Sequence, residues 1–216
     1  MSFSNKEGFA IAVNLVDAIQ THKDDFSRLD GAAGDGDHGI NMSKGFTLAS
    51  AEFNPQTMTM SDALLIIGQT LMNKIGGSMG PLYGGFFSGL GSASQRADTI
   101  DKRVMGAMLQ QAQENVRRLT TAAVGDKTLI DVLEPAVAAY RRAAGSGEDF
   151  AACLRAMTQA GAAGLDSTRN LVAKVGRASR LGERTLGHLD AGAASCHLIL
   201  TTLADGAIRL ADAQEQ

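Results

Sequence analysis

Between Asp30 and Phe46 the chain reads Asp-Gly-Ala-Ala-Gly-Asp-Gly-Asp-His-Gly-Ile-Asn-Met-Ser-Lys-Gly-Phe, which places Asp30, Asp35 and Asp37 within eight residues and among glycines. Carboxylates so close together raise one another's pKa unless a cation neutralises them, and an all-oxygen donor set on a flexible loop suits a hard ion such as Mg²⁺. Asn41, Met42, Lys44 and Phe46 then open a helical pattern. The backbone N–H groups of His38, Gly39, Ile40 and Asn41 are therefore expected at a helix start, where anions bind. A metal loop followed by a helix start suggests a phosphate between the two.

Other readings of this loop are weaker. Gly34, Gly36 and Gly39 spell G-x-G-x-x-G, but no β-branched run precedes them and the intervening aspartates would repel a bare pyrophosphate. An EF-hand counted from Asp35 would need glycine and glutamate where the chain has Ile40 and Phe46. A solvated acidic turn capping a helix is the plain alternative.

These residues must be positioned by helices. The 216 residues suffice for one substantial core, and residues 1–216 are expected to form a single domain. Abundant alanine, three prolines and no tryptophan favour an all-α fold. A net charge of −3 and a pI near 5.8, with dispersed basic residues, argue against a nucleic-acid partner. Cys153 and Cys196 form no C-x-x-C and read as reduced, buried thiols of a cytoplasmic protein. The first twenty residues mix Lys6, Glu7 and Asp17 into an amphipathic pattern, unlike a signal peptide or a membrane span.

Ser4 and Glu7 suggest a capping box before a helix carrying Ile11, Leu15 and Ile19. Further helices are expected from the acidic loop to Asn54-Pro55, from Ser61, through the glycine-dotted segment 82–95, from Asp101 to about Ala123, through the Ile130–Tyr140 stripe bent at Pro135, from Asp149 to Ala173, and from Ala193 to Ala211. That makes about eight helices and no strand, hence a bundle or helical barrel. Four glycine-bearing breaks interrupt them: Asp30–Asn41, Gly76–Pro81, Gly125–Thr128 and Gly176–Gly192. Antiparallel packing that gathered these breaks at one rim would build a polar site from helix termini.

The blocks Gly-Asp-Gly-Asp-His-Gly-Ile-Asn-Met, Gly-Gly-Ser-Met-Gly-Pro-Leu-Tyr-Gly, Gly-Asp-Lys-Thr-Leu-Ile-Asp and Gly-Arg-Ala-Ser-Arg-Leu-Gly-Glu-Arg-Thr-Leu-Gly-His-Leu-Asp resemble, in order and over nearly the whole chain, the nucleotide-binding L subunit of dihydroxyacetone kinase. The resemblance implies an eight-helix antiparallel barrel holding ADP or ATP at one end, with two Mg²⁺ bridging its phosphates to Asp30, Asp35 and Asp37. It implies nucleotide contacts at His38, Gly39, Ile40, Asn41, Ser78, Met79, Thr121, Leu129, Arg177, Asp190, Ala191 and Gly192. Where the family reads Asp-Pro-Gly, this chain has Asp190-Ala191-Gly192, a less rigid loop.

Arg177 is the residue expected to assist transfer by neutralising phosphate charge. Arg180 and Arg184 read as surface cations or partner contacts, Lys127 as a phosphate lysine or a loop ion pair, and His38 and His188 as hydrogen-bonding groups beside the metal loop. The methionines read as adaptable core. The function so implied is phosphoryl transfer from bound nucleotide to a ketose such as dihydroxyacetone held through a histidine of a separate K subunit, with ATP or a phosphohistidine phosphotransferase protein as donor. No membrane partner is expected, and a homodimer is one expected assembly. The alternative is a nucleotide-dependent regulatory or lipid-handling module of the same fold.

Overall fold

The computed structural model describes residues 1–214. Its nine α-helices among these residues are α1 (Phe9–Thr21), α2 (Lys23–Ala33), α3 (His38–Ser50), α4 (Met60–Lys74), α5 (Met79–Ser94), α6 (Lys102–Arg117), α7 (Ile130–Gly145), α8 (Phe150–Ser167) and α9 (Ala191–Ala213). Short 3₁₀ segments cover Thr168–Asn170 and Ala178–Thr185. Eight helices close into a ring in the order α1, α3, α4, α5, α6, α7, α8, α9 and back to α1, each packed on the next. The ninth, α2, lies against α1, α3 and α9.

The ring forms because each helix offers an apolar stripe to a shared core that includes Leu15, Phe46, Ile67, Phe87, Met108, Val137, Leu154 and Leu200, all at most 1% exposed. Glycines set how closely the helices approach. A Cβ on Gly89 of α5 would lie 2.6 Å from Ala112 Cα of α6, so only glycine permits this spacing. Pro135 lacks the N–H that would bond the Asp131 carbonyl one turn earlier. Gly164 of α8 packs against that same carbonyl, and α7 continues through Pro135 to Gly145. Helix α9 is long and apolar enough to cross a bilayer, but 61% of that apolar window is buried and it packs on α1, α7 and α8 as part of the ring.

The structure corrects several sequence-based expectations. Helix α2 is additional and puts Asp30 in a helical last turn rather than in a loop. Only Phe26 and Ala33 of α2 are buried, so it shows no apolar stripe to read. Ser2–Ser4 and Thr99–Asp101 form an antiparallel pair, β1 and β2, with Phe3 opposite Ile100. Ser4 therefore caps nothing: α1 starts after Gly8 without a side-chain cap, and the reciprocal capping box is Thr59 with Asp62 at α4. Helix α6 stops at Arg117, whose guanidinium donates to the Ala122 carbonyl (2.5 Å) and pairs with Glu134 (2.8 Å). Helix α8 ends at Ser167, before the expected Ala173, while α9 begins two residues earlier than read, at Ala191.

The tight α5–α6 contact gives the first prediction. Gly89→Ala should lower stability by about 1–3 kcal/mol, because the added methyl meets backbone. Gly145→Ala, with open space around its Cβ, should raise it by roughly 0.4–1 kcal/mol. Urea midpoints of the two variants moving in the same direction would contradict this packing.

Candidate functional site

Every second helix of the ring begins at one end, and a cavity of about 460 Å³ lies there. The starts of α3 (His38, Asn41), α5 (Met79), α7 (Ile130) and α9 (Ala191, Gly192) all line it, so four sets of first-turn backbone N–H groups and four positive dipole ends converge. All four glycine-bearing breaks contribute residues to the same cavity.

The cavity's acidic side is Asp30, Asp35 and Asp37, which offer carboxylate oxygens within 4.8 Å of one another. Asp30 sits in the last turn of α2, where a negative charge opposes the helix dipole. Gly34 allows the loop to fold over it, since a Cβ there would lie 2.5 Å from Asp30 Oδ1. Gly36 takes a left-handed conformation at φ 78° between the other two aspartates. Asp37 precedes α3 but makes no capping bond, unlike Asp101, Asp149 and Asp190, so its carboxylate remains directed to other partners. Arg177 supplies the counter-charge: its Nη1 contacts Asp35 and lies 3.1 Å from Asp37 Oδ2.

Of the residues singled out from sequence, Asp30, Asp35, Asp37, His38, Asn41, Ser78, Met79, Leu129, Arg177, Asp190, Ala191 and Gly192 line the cavity. Gly39, Ile40 and Thr121 do not. Gly39 is buried against α2, where a Cβ would strike the Lys23 carbonyl; Ile40 is 54% exposed, and Thr121 is exposed between the cavity-lining Thr120 and Ala122. Arg180, Arg184 and His188 are exposed and outside the lining.

Lys127 does not act as a loop ion pair within 4 Å among the described residues. It is 2% exposed, holds φ at 63°, and donates from Nζ to the carbonyls of Thr168 and His188 at 2.5 Å each. It thereby ties the α7 loop to the segments that lead into α9. Asp131, 1% exposed, completes the same corner by accepting from the Gly125 and Thr128 N–H groups at 2.6 and 2.7 Å.

Sequence reasoning missed the cavity floor. His38 Nε2 lies 2.8 Å from Ser195 Oγ, Ser195 Oγ lies 2.6 Å from the Tyr83 hydroxyl, and that hydroxyl is 2.8 Å from the Gly192 carbonyl. Tyr83 and Ser195 are 2% and 0% exposed. The His38 ring packs edge-on to Phe26 and Tyr83, and its backbone N–H donates to Asp30 Oδ2 at 3.2 Å. Burial pushes the His38 pKa down to about 4, although Asp30 pulls it up, so the ring is neutral near pH 7. Tyr83 stands in the same glycine-rich block as Ser78 and Met79, and that proximity was the only sequence signal for it.

Asp190 caps α9 by accepting from the Ala193 N–H at 2.7 Å. Burial pushes its carboxyl up to about 7, against the pull of that N–H and of the Lys127 charge. The folded protein thus keeps a proton that the unfolded chain releases near pH 4, and stability from this group is lost as pH rises from about 4 through about 7. Asp190→Asn keeps the cap and cannot ionise. It should gain stability relative to the parent across that window, as followed by urea midpoints; a constant difference between pH 4.5 and 8 would refute the shift.

Residues 32–205 match the DAK2 domain family. The chain is 37% identical to the PEP-dependent dihydroxyacetone kinase 1 ADP-binding subunit DhaL of Listeria innocua, across 84% of this chain and 86% of that one. It is 32% identical to the corresponding DhaL subunit of Escherichia coli, across 87% and 90%. A D-erythrulose kinase of Mycolicibacterium smegmatis is 32% identical over 88% of this chain, which spans only 33% of that longer protein. Among solved structures, the native dihydroxyacetone kinase of C. freundii superposes with a TM-score of 0.65 at 23% identity, covering 92% of this chain and 34% of the other, and so shares its fold. With the closed helical ring, the four motif blocks at one rim and these similarities in agreement, the chain belongs to the DAK2 domain family, alongside the DhaL subunits of dihydroxyacetone kinases.

Proposed function

We propose that this protein is the nucleotide-carrying subunit of a ketose kinase, holding ADP or ATP in the cavity and passing the terminal phosphoryl group to dihydroxyacetone, or a related ketose, on a separate K subunit. The observation that carries the proposal is three carboxylates within 4.8 Å of one another beside four converging helix starts. An anion suits the helix starts, a cation suits the carboxylates, and a metal-bound polyphosphate satisfies both. The names of the relatives, ADP-binding subunits of dihydroxyacetone kinases, support the nucleotide and the reaction class.

The donor set fits Mg²⁺: all hard oxygens, Asp30 from the end of α2 and Asp35 and Asp37 from the loop around Gly36, with an exposed counter-charge already drawn to them. Asp30, Asp35 and Asp37 would hold two such ions, which supply charge neutralisation across the phosphates when bound. The helix starts at Ser78–Met79 and His38–Asn41 then orient the phosphate oxygens, while Leu129 and Met79 give the cavity its apolar wall. Arg177, 57% exposed, can leave the aspartates and follow the charge that develops on the phosphoryl group. Transfer needs positioning and charge compensation rather than a covalent group from this chain.

Relatives described as PEP-dependent or PTS-dependent favour resident ADP recharged by a phosphohistidine protein over exchange of ATP. The erythrulose kinases among the relatives keep the ketose itself open to four-carbon substrates. A cytoplasmic location is part of the proposal.

Nucleotide with Mg²⁺ should stabilise the protein by about 4 kcal/mol at 1,000 times its dissociation constant, and far less with EDTA. Asp35→Asn and Asp37→Asn should each abolish the metal-dependent part while leaving helical circular dichroism unchanged. Equal thermal shifts with and without EDTA would remove the metal from this reading.

Arg177→Ala should slow transfer roughly 30- to 1,000-fold at saturating K subunit, with a smaller loss of nucleotide affinity. Arg184→Ala, exposed outside the cavity, should instead raise the K-subunit concentration that gives half-maximal rate. Wild-type turnover in Arg177→Ala would place Arg177 outside the reaction.

A further inference from the structure

We infer that Tyr83 and Ser195 are positioning residues that fix His38 as the Nε2–H tautomer, so that the ring presents Nδ1 to the cavity as a hydrogen-bond acceptor.

The inference follows from counting protons. Three polar contacts link the four groups at 2.8 Å or less: Tyr83 hydroxyl to Gly192 carbonyl, Tyr83 hydroxyl to Ser195 hydroxyl, and Ser195 hydroxyl to His38 Nε2. Each contact needs one proton between its heavy atoms. The carbonyl has none, and the two hydroxyls supply one each. The third proton must therefore sit on Nε2.

The direction of the chain is then determined. Nε2–H donates to Ser195, Ser195 donates to Tyr83, and Tyr83 donates to Gly192. If Tyr83 donates to Ser195 instead, the 2.8 Å contact of its oxygen with the Gly192 carbonyl is left without a proton, and the Ser195 proton is free to point at Nε2 or at that carbonyl. Only an arrangement that leaves one short contact without a proton reverses the ring, and such a contact, buried at 0–2% exposure, has no water to relieve it. The ring cannot swing away to escape the assignment, because Phe26 and Tyr83 pack against it edge-on.

The consequence concerns which ligand atom His38 serves. A neutral ring protonated on Nε2 has a lone pair on Nδ1, which repels a bare phosphate oxygen and accepts from an O–H or N–H group. His38 also donates its backbone N–H to Asp30 and lines the same cavity as the three carboxylates. The geometry gives His38 to a water carried by the divalent cation, and leaves phosphate oxygens to the backbone N–H groups of the helix starts. This assignment of the ligand rests on the proposed function; the tautomer does not.

Nitrogen-15 spectra of histidine-labelled, nucleotide-free protein test the tautomer directly. His38 should show a protonated Nε2 and an unprotonated Nδ1. In Tyr83→Phe, which retains the ring packing, both contacts of the Tyr83 hydroxyl disappear and the Ser195 proton can point at Nε2, so both tautomers should be populated. Affinity for nucleotide with Mg²⁺ should fall about 3- to 10-fold, as expected for one lost hydrogen bond. Ser195→Ala should release the tautomer in the same way.

A protonated Nδ1 in the parent protein, or a Tyr83→Phe spectrum and affinity identical to the parent, would overturn the inference. A parent protein with the expected tautomer that binds no nucleotide would confirm the tautomer while sinking the proposed function, so the two failures are distinguishable.

Discussion

Alternate helices of a closed ring must begin at the same end, and the rest of this structure depends on that constraint. Each start leaves backbone N–H groups without helical partners, and four of them here face one cavity of about 460 Å³. Such a site attracts anions strongly. The three aspartates beside it reverse that preference on one side, so the cavity is polarised: backbone-positive along the helix starts, side-chain-negative at Asp30, Asp35 and Asp37. A ligand of one sign satisfies only half of it. A polyphosphate with its cation matches both halves, which is why the nucleotide reading explains more of the geometry than a simple anion or metal site would.

The helix starts hold their spacing because buried polar groups tie them together. Tyr83 and Ser195 join α5 to α9 and to His38 at the start of α3. Lys127 and Asp131 bind the loop before α7 to itself and to the carbonyls of Thr168 and His188. The close approach of α5 to α6 at Gly89, and of α7 to α8 at Gly164, sets the ring behind them. A buried unpaired donor or acceptor costs about 1–3 kcal/mol, so every one of these ties resists opening.

Helical periodicity made the ring legible, and the acidic loop made half of the site legible, because both are local patterns. Periodicity failed at α2, where only Phe26 and Ala33 are buried, and at β1 and β2, whose three-residue pairing joins positions about a hundred residues apart. The missed site residues share one cause. Tyr83 and Ser195 act through partners distant in sequence, and each resembles an ordinary core residue until the ring closes. Around Gly39 and Ile40 the motif marks a stretch, while the turn of the helix decides which of its side chains face the cavity. His38 and Asn41 face inward, Gly39 packs against α2, and Ile40 points to solvent.

Floor and lip of the cavity differ in what their contacts are worth. At the floor, Tyr83 and Ser195 are almost wholly buried, and losing one bond leaves a partner with no water to replace it. At the lip, Arg177 is 57% exposed and its aspartate partners 47%, so solvent screens the pairing, and exposed ion pairs contribute about 0–1 kcal/mol. The difference decides which part moves. A cation arriving at Asp35 and Asp37 has to displace only a weak, hydrated contact, and the freed guanidinium remains within the same cavity. Under the proposed function, charge exchange falls on the exposed segment around Arg177 and the aspartate loop, while the buried chain from His38 to Gly192 supplies the fixed geometry beside it.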